Sequence, residues 1–408
     1  MRSIVFKINR FNLKLMENIF SDRISDVPRS FIREILKVTL DPEIISFAGG
    51  LPNRDLFPVE ELKNSTIKVY EEAGREVLQY TNSEGFFELR RIIAERYKKK
   101  GVEVSEENIL ITTGSQQGLD VLGKTFLNER DNVIIEEPGY LGAIQAFSVH
   151  RANFCPVKLD DEGMKVDELE QQLAANKCKL MYTVPNFQNP TGISYSYERR
   201  QSIADLLKDQ RLYLIEDDPY GDLRFFGKHQ PSFKTIIPER TILLGSFSKT
   251  VVPSFRIGWI VAPEEILDKL IIAKQASDLH TNYLCQRIIA QYIIDYNFDA
   301  HIQLICERYG GQRNAMINAI RKYFPAGVQY TEPEGGMFLW ITLPEGISSI
   351  QLFEAAIKNK VAFVPGNPFY TYDIKDTNNL RLNFSSVDEK MIETGIQRLA
   401  KAINEVLD

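Results

Sequence analysis

The chain has 408 residues, beyond the roughly 250–300 at which a single hydrophobic core stops growing, so two domains are expected. Its 44% hydrophobic and 25% charged residues match an ordinary globular protein, and a formal net charge of −6 argues against a nucleic-acid footprint. No run of eighteen apolar residues occurs, which excludes a membrane-spanning helix at the level of sequence.

The four cysteines, Cys155, Cys178, Cys285 and Cys306, are scattered without a Cys-x-x-Cys pair and read as reduced thiols of a cytoplasmic protein. The histidines show no ligand-like spacing, so no metal is expected. Arg2, Lys7, Arg10 and Lys14 precede any acidic residue, as in a weak transit peptide. A start of translation at Met16 fits the same pattern and is the preferred reading.

In chain order, Ile32, Ile35, Leu36 and Leu40 fall at helical spacing over 28–40, residues 44–47 are extended, and Ala48-Gly-Gly-Leu-Pro-Asn53 is a turn. Two amphipathic helices are expected between residues 60 and 100, separated by Gln79-Tyr-Thr-Asn-Ser-Glu-Gly85. Short apolar, β-branched-rich runs follow at 108–112, 132–135, 180–184, 212–215, 241–244 and 257–261. Helical stretches at 115–128, 140–149, 166–176 and 197–209 separate the earlier ones. Continuous apolar strands alternating with helices indicate an α/β fold with a parallel sheet covered on both faces. Beyond residue 264 helices dominate, with a long one over 284–325. The last hundred residues mix strands at 337–341, 361–364 and 380–384 with helices at 348–359 and 387–406. A large domain is therefore expected over 60–308, and a small α+β domain from 1–59 together with 309–408.

Ligands of open α/β sheets bind beyond the carboxyl ends of the strands. The segments there are Gly114-Ser-Gln-Gln117, Glu136-Glu-Pro-Gly-Tyr140, Pro185-Asn-Phe-Gln-Asn-Pro-Thr-Gly192, Glu216-Asp-Asp-Pro-Tyr220 and the loop carrying Lys249, all polar. Ser115 opens a helix whose free N–H groups favour an anion, or serves only as its cap. Three acids at a buried strand end, Glu216, Asp217 and Asp218, require a cation or donor. Lys249, between two apolar runs and near Arg256, is placed to lose its proton close to neutral pH and condense with an aldehyde. Ser246, Ser248 and Arg256 offer donors to a phosphate, and an aldehyde bearing a phosphate is pyridoxal 5′-phosphate. The run Gly118-Leu-Asp-Val-Leu-Gly-Lys-Thr125 matches the phosphate-loop pattern, but Leu119, Leu122 and Phe126 share a helical face, so a helix is expected there.

With these segments in order, the sequence resembles the fold-type-I pyridoxal-phosphate aminotransferases, and within them the 2-aminoadipate and kynurenine aminotransferase branch. The motifs that carry the resemblance include Ala48-Gly-Gly-Leu-Pro-Asn, Leu78-Gln-Tyr, Glu137-Pro-Gly-Tyr, Asn189-Pro-Thr-Gly, Ser246-Phe-Ser-Lys, Gly335-Gly-Met-Phe-Leu-Trp and Leu380-Arg-Leu-Asn-Phe-Ser385. The resemblance implies a mainly parallel seven-stranded sheet between helices, and a homodimer with shared active sites. By position it assigns Lys249 to the covalent bond with the cofactor, Asp217 to the pyridine nitrogen, and Asn189 and Tyr220 to the ring oxygen. It assigns Tyr140 to stacking, Ser115, Gln116, Ser246, Ser248 and Arg256 to the phosphate, and Arg381 to the substrate carboxylate. Gly50, Leu51 and Asn189 would line the substrate pocket, and Tyr80 would reach the partner's cofactor. Lys249, Asp217 and Tyr220 would carry the catalysis. One departure is Ser254, where the family usually has glycine, which bears on the loop backbone before Arg256.

The implied reaction is transamination of an L-α-amino acid of 2-aminoadipate, aromatic or branched-chain type with a 2-oxo acid, 2-oxoglutarate first. A carbon–sulfur lyase on the same fold is the alternative. A regulator with an aminotransferase-like domain is disfavoured by the net charge and by the fewer than thirty residues before the resemblance begins.

Overall fold

The computed structural model describes residues 20–25, 27, 35, 41–372 and 376–407. Residues 1–15 and all of the 28–40 segment but residue 35 lie outside that set, so the leader and the first expected helix are not described further.

A one-turn helix, Asp22–Ser25, is followed by a two-residue strand, β1 (Ile45–Ser46), and two helices, Val59–Ala73 and Phe87–Lys99, lead into the main sheet. That sheet is built from β2 (Ile109–Thr113), β3 (Asn132–Glu137), β4 (Asn153–Asp160), β5 (Gly163–Met164), β6 (Cys178–Thr183), β7 (Tyr213–Asp217), β8 (Thr241–Ser246) and β9 (Ile257–Val261). Its order is β2-β9-β8-β7-β6-β3-β4-β5. Strands β4, β3, β6, β7 and β8 pair in parallel, and β9 runs against both of its neighbours, β8 and β2.

Both faces are covered, as the apolar runs require. Along β2, Leu110 packs on one face with Leu119 and Leu122, and Ile109 and Ile111 pack on the other with Ile93 and Ile289. Along β8, Ile242 and Leu244 face one side and Leu243 the other. The two-residue period sends successive side chains to opposite faces, and each such residue contributes about 1.5–3 kcal/mol on burial. The phosphate-loop look-alike at 118–125 lies within the continuous helix Ser115–Phe126.

The expected seven strands become eight. Strand β4 has no counterpart in the predicted elements because Pro156 interrupts its pattern, and proline is tolerated here because the outer neighbour is only β5. Strand β5 is too short to carry a periodic signal. The single helix expected over 284–325 is two, Tyr283–Asp295 and Phe298–Tyr323. Tyr296 is extended between them, and Asn297 caps the second by accepting a hydrogen bond from Ala300 N.

A second sheet follows, from β10 (Gln329–Tyr330), β11 (Phe338–Thr342), β13 (Val364–Pro365) and β14 (Asn379–Asn383), all antiparallel in the order β10-β11-β14-β13. Strand β12 (Val361–Ala362) pairs in parallel with β1, so an N-terminal strand is stitched onto the C-terminal part of the chain. Phe47 N donates to Ala362 O, and Asn383 N donates to Phe47 O. The Phe47 ring is fully buried where a Cβ on Gly395 of the last helix, Glu389–Leu407, would collide with it. Phe47→Ala is expected to cost about 3–5 kcal/mol in urea unfolding. A loss under about 1 kcal/mol would mean that the β1 junction does not hold the two ends together.

Candidate active site

Strand-end segments of the main sheet, the N-terminal segment and the second sheet converge around a cavity of about 340 Å³. Ser115, Gln116, Tyr140, Asn189, Asp217, Tyr220, Ser246, Ser248, Lys249 and Arg256 line it from the strand ends, Gly50 from the N-terminal segment and Arg381 from β14. Two further candidates stand elsewhere. Leu51 is exposed and uses its carbonyl to accept from Ser385 Oγ at 2.9 Å. Tyr80 is 78% exposed and packs edge-on against His280.

The antiparallel β9 explains one wall. Ser246 at the end of β8 pairs with Gly258 on β9, so the intervening loop leaves and returns at the same end of the sheet, carrying Lys249 and Arg256. A Cβ on Gly258 would lie 2.6 Å from Ser115 N, so glycine there lets the Gly114–Ser115 turn rest on β9. Gly114 has φ +73°, and a side chain on it would collide with the Arg256 guanidinium. The helix N-terminus of Ser115–Phe126, Arg256 and the hydroxyls of Ser246 and Ser248 thus meet in one corner. The two hydroxyls are 2.9 Å apart, and Arg256 Nη1 lies 3.4 Å from Ser248 Oγ. This corner is a cradle for a phosphate. The unusual backbone of the loop sits at Arg256 itself, with φ +55°, while Ser254 is exposed.

The three acids at the end of β7 separate by alternation. Glu216 turns away from the cavity, toward Arg200, and accepts from Ser232 Oγ and Lys234 N; burial pushes it up to about 7. Asp218 accepts from Asn186 Nδ2 at 2.9 Å. Asp217 faces the cavity, 1% exposed and pushed up to about 7 by burial against the bond from Tyr182. The Tyr182 hydroxyl donates to Asp217 Oδ2 at 2.7 Å, whereas the buried Oδ1 has no partner among the described residues. A buried carboxylate oxygen left open toward a cavity matches a protonated heterocyclic nitrogen.

Lys249 Nζ donates to Gly50 O at 2.7 Å. Burial, then the charges of Arg381 and Arg256, push its pKa down to about 8. Arg381 is buried and flat against two rings, Phe338 at 4.3 Å and Phe369 at 5.3 Å. Its Nη1 donates to Asn189 Oδ1 and its Nη2 to Ala48 O, both at 2.8 Å, and burial pushes it down to about 10. Burial also lifts the Tyr140 hydroxyl to about 12 and the Tyr220 hydroxyl well above its ordinary range, so both are neutral donors.

Asn189 is held from behind. Buried Gln188 accepts from Thr191 N and Oγ1 and donates to Pro138 O and Glu136 Oε2. Glu136 in turn accepts from Thr183 Oγ1, Val184 N and Tyr195 OH. Tyr182, Gln188 and Phe338 are absent from the sequence-derived candidates because each reads as ordinary strand or loop. The period of β6 was the available signal for Tyr182, which lies two residues before the cavity-lining Val184.

The family model described as aminotransferase class I and II matches residues 42–399. The chain is 42% identical over 397 residues to aromatic-amino-acid aminotransferase 1 of Thermococcus litoralis, covering 95% of each. The crystal structure of Pyrococcus horikoshii kynurenine aminotransferase with PMP, 42% identical, superposes with a TM-score of 0.92 over 97% of this chain and all of that one. That of LysN, the α-aminoadipate aminotransferase of Thermus thermophilus complexed with N-(5′-phosphopyridoxyl)-L-leucine, is 38% identical with a TM-score of 0.90 over 96% and 98% of the two chains.

Because the shift of Lys249 favours the free amine, its labelling by an amine-reactive reagent in the cofactor-free protein is expected to rise through a midpoint near pH 8, well below that of an ordinary lysine. Peptide mass spectrometry across pH measures it. A midpoint shared with the surface lysines would refute the desolvated, cation-flanked setting.

Proposed function

The chain belongs to the class I and II aminotransferase family, and on that premise we propose which residues carry its chemistry and which substrates it takes. It is a pyridoxal 5′-phosphate enzyme that catalyses transamination. The observation that carries the assignment of roles is the open carboxylate oxygen, Asp217 Oδ1, in a cavity whose other charged lining residues are Lys249, Arg256 and Arg381.

When bound, pyridoxal phosphate supplies an electron sink for the electrons of a broken Cα–H bond. Asp217 Oδ1 holds the proton on the ring nitrogen. Asn189 has its Oδ1 engaged by Arg381, which leaves Nδ2 to donate to the ring oxygen together with the Tyr220 hydroxyl. Tyr140 covers one face of the ring, and Ser115, Gln116, Ser246, Ser248 and Arg256 hold the phosphate. Lys249 would anchor the cofactor covalently, and its Nζ, once free, would be the base that takes the proton from the substrate Cα. A buried amine with its pKa near 8 is matched to that exchange at physiological pH. Arg381 clamps the substrate α-carboxylate as a planar fork pre-aligned by Phe338 and Phe369.

The amino donors we propose are 2-aminoadipate, aromatic and branched-chain amino acids, with 2-oxoglutarate as acceptor. Relatives named for aromatic amino acids, kynurenine and α-aminoadipate support this range. The domain division at 60–308, with 1–59 and 309–408 as the small domain, belongs to the same reading, as does a cytoplasmic location. No helix among the described residues is long and apolar enough to cross a membrane. We also propose a homodimer: Leu78, Tyr80 and Leu279 are exposed apolar residues, and a second copy would cover them and receive Tyr80 at its site. A monomer by light scattering would remove that part of the reading.

Lys249→Ala is expected to lower transamination about 10²–10⁴-fold, and borohydride treatment should fix cofactor to the Lys249 peptide of the wild type. Cofactor fixed at another lysine refutes the assignment. Arg381→Ala is expected to lower kcat/KM about a hundredfold for every amino donor alike, because the clamp is blind to the side chain. A panel of donors scored by glutamate formation measures this, and a loss confined to one donor would place Arg381 in side-chain selection instead.

A further inference from the structure

We propose that Tyr182 is a positioning residue for the reaction: its phenol holds Asp217 by Oδ2, so that Oδ1 meets the cofactor's ring nitrogen as the weaker base and the shared proton stays on nitrogen. The proposal rests on the assignment of Asp217 to the ring nitrogen.

The geometry is specific. Tyr182 is fully buried on β6, its ring edge-on to Phe147 at 6.2 Å, and its hydroxyl lies 2.7 Å from Asp217 Oδ2. Among the described residues Tyr182 is the one group that hydrogen-bonds this carboxylate, and Oδ1 is left open. A carboxylate turns easily about its terminal torsion, and one bond to a ring locked in packed strands removes that freedom.

The bond also sets which atom keeps the proton. Burial favours the neutral acid at Asp217, and the charges of Asp218 and of Glu136 on β3 act in the same direction. The Tyr140 hydroxyl lies near, and Lys249, Arg256 and Arg381 face the same cavity. The Tyr182 hydrogen bond opposes that drift. The phenol's own proton is held far above its ordinary range, so it donates throughout physiological pH. Without it Asp217 becomes more basic, and the proton moves from the ring nitrogen to Asp217 Oδ1. A ring nitrogen stripped of its proton accepts electrons poorly.

The test is nitrogen-15 NMR of the holoenzyme loaded with ring-labelled pyridoxal phosphate, at fixed neutral pH. Tyr182→Phe is expected to move the signal toward the unprotonated ring, changing the ratio of the two proton positions about tenfold or more. Tyr195→Phe is the control: it also removes a buried phenol–carboxylate bond, to Glu136, and should leave the signal in place. An unmoved signal in Tyr182→Phe, or an equal move in Tyr195→Phe, overturns the proposal. If Asp217→Asn leaves the signal unmoved, the assignment of Asp217 itself has failed; if it moves the signal and Tyr182→Phe does not, only the role of Tyr182 has. Should Tyr182→Phe not fold, a ring-fluorinated tyrosine at 182, a stronger donor of nearly the same shape, is expected to move the signal toward the protonated ring. No movement there overturns the proposal equally.

Discussion

Positive charge in excess is the condition the cavity has to manage. Lys249, Arg256 and Arg381 face it, and Asp217 is the one carboxylate among its lining residues. Buried like charges are costly, and the fold handles each cation differently. Lys249 is driven toward the neutral amine, Arg381 is spread over two aromatic faces and two oxygen acceptors, and Arg256 keeps access to solvent. What remains is a site short of negative charge, suited to anionic groups. A cofactor–substrate pair that brings such groups relieves the frustration as it binds.

The arrangement is possible because one strand runs backwards. Reversed β9 returns the chain to the end of the sheet it has just left, so Lys249 and Arg256 project from one short loop. Its far edge pairs with β2, which delivers the N-terminus of the helix Ser115–Phe126 to the same corner. Two glycines make the approach feasible, Gly114 by its left-handed conformation and Gly258 by leaving room for the backbone of Ser115.

Much of this was legible in the sequence, for a physical reason: residues that follow an apolar run are at a strand end, and polar residues there face a ligand. Lys249, Asp217 and Asn189 announce themselves in that way. Tyr182 does not, because a tyrosine inside a strand is indistinguishable from core until its hydroxyl's partner is known. Pro156 concealed a strand of eight residues, and a single extended residue, Tyr296, cut one long periodic segment into two helices. Glu216, Asp217 and Asp218 share that strand end and there require a cation or donor, and alternation along β7 makes Asp217 the one that looks inward. Leu51 and Tyr80 came from resemblance rather than from the residues, and one chain by itself leaves both at the surface.

The junction of β1 with β12 has a consequence for the order in which the protein is made. Arg381 completes its hydrogen bonds with Ala48 O and Asn189, and the strand that carries it donates a backbone hydrogen bond, from Asn383 N to Phe47 O. A growing polypeptide has emerged from the ribosome almost whole before these partners exist together. The main sheet is complete once β9 has been made, well before β14. The surroundings of Arg381 are therefore among the last features to assemble during synthesis, and Ile45–Ala48 stays exposed apolar chain until then.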